Sequence, residues 1–301
     1  MEKHEILSNK IKNIKTGLSE GPDPQFSHGG QRGGDTVRLA QGQYMSAPEW
    51  AELNPADKHL ARIIAHARVL RGPVFSHRSA AIIHGIQTLS VPDKLQVLGS
   101  GGATNSGLQY RQDEPSHRAI ILTGPGGLRV VDPVTATIGS VRDTDFAEAM
   151  VIAESTLRSF PELTHTELHD SLMAVRRSRG SKNAHRVAAA MSPLSVSPAE
   201  TLARVALLNL GLEPVQQYQV STPLQTFRVG AALVEHGVVV EVVGAPGHAP
   251  PQGASPQDTP AQKAREEAIR GEGWDFVYLT WADVRYRPDA VERKLHHRGI
   301  V

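Results

Sequence analysis

A run of valines holding a single carboxylate, Val238-Val-Val-Glu-Val-Val243, limits what this chain can become more than any other feature. Six residues this rich in β-branched side chains favour a strand. Thr226–Val234 reads the same way on the far side of the turn-forming Glu235-His236-Gly237, which predicts a β-hairpin. Its second strand bears a buried-looking Glu241 and ends at Gly244. A carboxylate among valines is costly unless it is paired, protonated or bound to a metal. That placement directs attention to metal-dependent hydrolysis. Gly230 and Val243, where partner acids would naturally sit, carry no charge, so the hairpin belongs either to an enzyme or to the shell of one.

The 301 residues accommodate one large domain or, as preferred here, two modest ones, and a 40% hydrophobic share is enough for packed cores. The formal charge of +1 leaves no bulk polycation, so nucleic-acid binding would need local patches. Having no cysteine excludes disulfides, thiolate zinc sites and a cysteine nucleophile together, and fits a reducing cytoplasm. Met1-Glu-Lys-His-Glu5 lacks an apolar leader core, and no run approaches the roughly 18 apolar residues of a membrane span. Neither secretion nor membrane insertion is expected.

Three segments follow from the patterning. Residues 1–50 comprise a short amphipathic stretch with Ile6, Leu7, Ile11 and Ile14 on one face, a Gly/Pro-rich loop over Gly17–Gly34, and a wing-like hairpin over Thr36–Met45. Residues 51–191 open on Asn54-Pro-Ala-Asp, a helix start, and continue through a helix from Ser76 to Gly85. Short strands are expected over Lys94–Leu98, Arg118–Leu122 and Leu128–Val131. Helices are expected over Asp143–Phe160, from the Thr164 cap to Arg177, and over Asn183–Met191. Ser192–Pro198 is the preferred boundary. Residues 199–301 then read helix, hairpin, loop, helix, strand, helix, the order of a small α/β/α sandwich.

The chemistry-bearing residues have ordinary readings beside the functional ones. His248 could ligate a metal or act as a base, but Gly-Pro-rich neighbours read as an exposed loop; His296 and His297 read as exposed too. Ser76-His77 and His84 lack a nucleophile elbow, and Ser76 is read as a helix cap. Gly99–Gly107 has glycines but no Gly-Lys-Ser/Thr ending, so it reads as a turn. The segment from Arg176 to Arg186 places five cations, Arg176, Arg177, Arg179, Lys182 and Arg186, in eleven residues. Either it lies against a nucleic-acid backbone or it is a solvated helix–helix loop. Lys3, Lys10, Lys12 and Lys15, with Arg32 and Arg38, form a second candidate patch. Trp274 and Trp281 flank an expected central strand and read as core anchors.

Phrases through most of the chain carry a resemblance. They include Val37-Arg-Leu-Ala-Gln-Gly-Gln-Tyr-Met45, Phe75-Ser-His-Arg-Ser-Ala-Ala-Ile-Ile-His-Gly85, Ser197-Pro-Ala-Glu-Thr-Leu-Ala-Arg204, Val239-Val-Glu-Val-Val-Gly244 and Leu279-Thr-Trp-Ala-Asp283. In this order and spacing the chain resembles actinobacterial AbiE-type abortive-infection antitoxins, joined to a domain similar to very-short-patch-repair endonucleases of the PD-(D/E)XK superfamily. The resemblance implies a winged-helix-remnant and antitoxin-like α+β part followed by a restriction-endonuclease-like α/β/α sandwich. The family's helix glutamate falls on Glu200 and its strand glutamate on Glu241. Its first aspartate falls on Gly230 and its second on Val243, both lost. Its Lys/His position falls on Gly247, with His248 one residue late. Ala136-Thr-Ile-Gly-Ser140 likewise lacks both charges of the family's Arg-Thr-x-x-Asp phrase, and the short stretch before Trp50 stands where a complete winged helix is usual.

Three expectations follow. The first is a non-catalytic DNA-binding regulator or antitoxin; by resemblance, double-stranded DNA and a neighbouring nucleotidyltransferase toxin are its partners, and the endonuclease-like fold is a scaffold in which Lys263, Arg265 or a backbone amide holds Glu241. The second is a Mg²⁺-dependent DNA endonuclease rebuilt around Glu200, Glu241 and a migrated acid such as Glu235. The third is a protein-interaction subunit of a phage-defence system.

Overall fold

Capping residues and buried stripes set most helix limits in the computed structural model, which describes residues 2–13, 36–100, 107–112, 118–176, 178–244 and 259–301. The fold is mixed α+β and divides into two compact units, Met1–Ala189 and Ala190–Val301.

The first unit begins with α1 (Glu2–Lys10), β1 (Lys12–Asn13), β2 (Thr36–Ala40), β3 (Gln43–Ser46), α2 (Ala47–Glu52) and α3 (Pro55–Val69). The three strands form a small sheet in the order β1-β3-β2. Asn54 starts α3 by accepting the Asp57 N–H, with Pro55 supplying a preset φ in the first turn. Leu60, Ile63 and Ile64 then turn inward and join Leu7, Ile11, Leu39 and Met45 in one core.

Next come α4 (His77–Ile83), β4 (Leu95–Leu98), β5 (Leu108–Arg111), β6 (Ile121–Thr123) and β7 (Arg129–Val131). The strands β4 and β5 pair in parallel, whereas β6 and β7 pair antiparallel. Phe75, fully buried, bridges Val97 on one side and Val130 on the other, and so ties the two ribbons together. The unit closes with α5 (Pro133–Arg142), α6 (Phe146–Ser159), α7 (His165–Met173) and α8 (Ser181–Ala190).

The sequence reading passes directly from the strand at Val131 to a helix at Asp143, but the structure inserts α5. Asp132 accepts the N–H groups of Val134 and Thr135, and Pro133 sits in the first turn, a start signal hidden between two apolar runs. Ten successive residues of α6, Glu148–Leu157, are buried. Two of the ten are acidic, Glu148 and Glu154; Glu148 accepts from Ser90 N–H and Oγ at 2.9 Å and faces Arg78 at 3.8 Å.

The helix expected from Thr164 forms as α7 with a full capping box between Thr164 and Glu167. Thr164→Ala is expected to lower stability by about 1 kcal/mol, measured by denaturant unfolding. A midpoint unchanged from wild type would show that the box contributes nothing to the fold.

The second unit runs α9 (Pro198–Asn209), β8 (Val215–Ser221), β9 (Thr226–Leu233), β10 (Val238–Val243), α10 (Pro260–Gly271), β11 (Asp275–Thr280), α11 (Trp281–Tyr286) and α12 (Pro288–His296). Its sheet has the order β11-β10-β9-β8. The first three strands meander antiparallel, and β11 returns parallel to β10, with Glu241 opposite Tyr278. The strand flanked by Trp274 and Trp281 is therefore an edge of the described sheet, not its centre. The interior is occupied by β9 and the valine-rich β10, whose Val238, Val239 and Val240 are buried, as a strand covered on both faces requires. Trp274 packs against the core with Tyr218 at 5.1 Å between ring centres. Ile269 of α10 meets Val220, Val229, Val239 and Phe276, while α9 lies against β9 and β10.

Candidate functional site

A cavity of about 410 Å³ in the second unit collects Glu200, Glu241 and Gly230 in its wall. Ser197 caps α9 by accepting the Glu200 N–H at 3.2 Å, which fixes Glu200 in the first turn. Its carboxylate Oε2 accepts Val196 N–H at 3.0 Å and the Gln217 amide at 3.4 Å. A Cβ placed on Gly230 would lie 3.8 Å from Glu200 Oε1, an ordinary contact. An aspartate there would thus fit and point its carboxylate at Glu200.

Glu241 is held by Arg265 of α10, whose guanidinium donates to Oε1 at 2.7 Å; both side chains are 19% exposed. Arg265 also donates to the Arg228 carbonyl at 3.4 Å. Of the three groups expected to hold Glu241, Arg265 is the one that does.

Magnesium demands near-octahedral oxygen coordination from carboxylates, water and substrate phosphate. Here Gly230 and Val243 offer no side-chain oxygen, and one oxygen of Glu241 is occupied by a guanidinium. The donor set present does not fit the ion. Glu235 does not repair it: it is exposed in the turn before β10 and outside the cavity wall. Among the described residues no group of three or more histidine or acidic side chains gathers. His248, together with Arg32 and Arg177, lies outside the described residues.

One feature beside this wall has no signal in the sequence. Gln216 pairs with Ala231 and Tyr218 with Val229, and between them Gln217 adopts φ +51° opposite Gly230. A left-handed conformation at a non-glycine residue stores about 1 kcal/mol or more and is found most often at functional sites.

The cationic residues lie mainly in the first unit. Arg176, Arg179 and Lys182 are exposed and make no ion pair among the described residues. Arg186 is exposed and stacks on Phe146 at 3.7 Å from its centre. The segment is anchored by Gly180, at φ +80°, whose missing side chain lets the Arg142 backbone approach; an added Cβ would stand 2.2 Å from its carbonyl oxygen. Arg142 in turn donates to Ser178 Oγ at 2.8 Å. Arg38 is exposed on β2, its Nε donating to the Ala40 carbonyl at 3.4 Å.

Near this segment's anchor, three arginines gather about His77. Burial first, then the guanidiniums of Arg111, Arg142 and Arg78, push its ring down to about 3, so it is neutral at physiological pH. The ring fills space left by Gly139, where a Cβ would approach to 2.9 Å. Ser76 occupies the cap position of α4 without capping it. Because His77 enters the helix at φ +51°, the Ser76 hydroxyl lies instead 3.2 Å from His77 Nδ1. Ser76 is 1% exposed, which removes it from contact with any substrate. His84 Nε2 donates to the Val131 carbonyl at 2.7 Å, a structural bond. His296 and His297 are exposed, as read.

Comparison of the chain with protein-family models, curated proteins and solved structures finds no match. No helix among the described residues is long and apolar enough to cross a membrane.

Proposed function

We propose that this chain is a non-catalytic, DNA-binding regulator of the antitoxin type. In this reading the first unit combines a winged-helix remnant with an antitoxin-like α+β domain. The second is a restriction-endonuclease-like α/β/α sandwich kept as a scaffold. The observation that supports it best is the Glu241–Arg265 ion pair in a cavity where Gly230 stands beside Glu200. A protein cation takes the charge that a hydrolytic metal would take, and two of the acids that a phosphodiesterase needs are absent. The exposed cations Arg176, Arg179 and Lys182 supply phosphate contacts, and the family resemblance supplies the rest: a cytoplasmic setting, repression of its own operon, and a nucleotidyltransferase toxin as genetic partner.

Two measurements test this. Replacing Arg176, Arg179 and Lys182 together by alanine is expected to weaken duplex binding about 10- to 100-fold at low salt and to flatten the salt dependence by about three phosphate contacts. Binding that is absent at low salt in the native protein, or untouched by the triple change, would sink the DNA reading. Supercoiled plasmid is expected to stay intact with Mg²⁺ or Mn²⁺; nicking that disappears in Glu241→Ala would replace the regulator by an endonuclease.

A further inference from the structure

The cavity beside Glu200 and Glu241 is too well built to be only a remnant. Its volume of about 410 Å³ falls within the roughly 300–1,000 Å³ of small-molecule sites. Two carboxylates, Glu200 and Glu241, and two guanidiniums, Arg204 and Arg265, line it, so the lining has no net formal charge. Short apolar side chains, Ala199, Ala203, Ala231 and Val242, form much of the rest and leave space for a flat body.

The edges carry two glutamine amides. Gln216 commits one amide N–H to Ser195 Oγ at 2.7 Å, and Gln262 commits one to Glu266 at 3.2 Å. Their carbonyl oxygens have no partner among the described residues. Arg265 spends N–H donors on Glu241 and on the Arg228 carbonyl. A cavity of no net formal charge with small walls and acceptor oxygens at its edge suits a neutral, flat molecule that donates N–H groups. Beside this wall, Gln217 holds φ +51° opposite the lining Gly230 and donates to Glu200 at 3.4 Å.

We propose that this cavity binds an amino-bearing nucleobase, with the carbonyls of Gln216 and Gln262 accepting from its exocyclic amino group. Such a base has two sources, a free nucleoside or a base swung out of a duplex, and a glutamine amide is well matched to either. The proposal rests on the reading that the cavity is non-catalytic, but free-nucleoside binding does not require DNA binding, so the two can fail separately.

The test uses the full-length protein and calorimetric titration with adenosine and guanosine, each against its analogue lacking the amino group, purine riboside and inosine. Binding of an amino nucleoside is expected, with its analogue about tenfold weaker because the acceptors are left unpaired. Gln262→Ala is expected to weaken binding about tenfold, and Ala203→Leu, which fills the space, to abolish it. Ala203 is buried, so loss of binding in its variant counts only if that variant folds; the half-buried Gln262 position keeps the test decisive. A second arm titrates protein into a duplex containing 2-aminopurine. A rise in fluorescence assigns the extrahelical source, and nucleoside binding with unchanged fluorescence assigns the free one. No heat with any nucleoside at millimolar concentration together with unchanged fluorescence would overturn the proposal, as would native affinity in Gln262→Ala.

Discussion

Acidification is expected to unfold the first unit well before the second. His59 is held down to about 4 and His77 to about 3, each first by burial and then by neighbouring arginines, against an ordinary value of 6.5. His84 and His4 are lowered too, again with burial as the main cause. A histidine held below its ordinary value takes up its proton in the unfolded chain before it does so in the folded one. Its stabilisation is therefore complete above about pH 6.5 and is lost steadily as pH falls toward the folded value. Each pH unit in that window removes about 1.4 kcal/mol per histidine. By pH 5, His59 and His77 together forfeit on the order of 3 kcal/mol after allowance for the partial exposure of His77.

The second unit also loses stability on acidification, but at lower pH. Burial raises Asp275 and Asp283, but hydrogen bonds from Arg298, the Phe276 N–H and Arg270 to Asp275, and from Lys294 and Thr280 to Asp283, outweigh it and bring each to about 2. Stability from a lowered carboxylate is present above its ordinary 3.8 and lost only as pH falls toward 2. Trp50 reports the first unit, and Trp274 and Trp281 report the second. Fluorescence of Trp50→Phe, set against that of the Trp274→Phe/Trp281→Phe chain, should give two separate acid transitions, the Trp50 signal moving first. A single transition shared by both would contradict the assignment.

The second unit was the more legible in the sequence, and the reason is physical. The valine runs and the strand Asp275–Thr280 are local signals, and the strands they predict begin and end within a residue or two of them, whereas α11 was not expected. Glu241 could be named because it sits among valines, a signal visible without a fold, whereas Glu200 was named only by the family resemblance. The direction of Glu241 toward Arg265 required α10 to pack on the sheet, a contact spanning 24 residues.

In the first unit α5 escaped notice because Thr135-Ala-Thr-Ile-Gly139 has little helical propensity. It is helical because its start is capped and its residues Thr135–Val141 are buried. Gln217 was illegible altogether, since glutamine gives no warning of a left-handed backbone. The importance of Gly180 is also a packing result: only the closeness of the Arg142 carbonyl shows why that position bears no side chain.

Arg265→Ala is expected to lower the unfolding free energy of the second unit by about 3 kcal/mol, the low end for breaking a largely buried pair. The cost comes from Glu241, left among valines with its compensating charge removed, rather than from the lost attraction alone. Replacing both partners, as in Glu241→Leu/Arg265→Leu, removes the stranded charge and is expected to recover most of the native stability. The cycle through both single variants and the double one isolates the coupling, and because the pair is shielded it should change little between low and high salt. An Arg265→Ala protein as stable as wild type would mean that Glu241 is solvated and needs no partner, and the scaffold reading would lose its main support. Adding Gly230→Asp to the native chain sharpens the contrast. The new side chain fits, at 3.8 Å between its Cβ and Glu200 Oε1, yet it sets a second carboxylate against the first. That variant is expected to fold with reduced stability through charge repulsion and not through collision, so lowering the pH toward 4 should narrow its deficit relative to wild type. Under the scaffold reading, the site should thus tolerate the shape of an aspartate at position 230 and reject its charge.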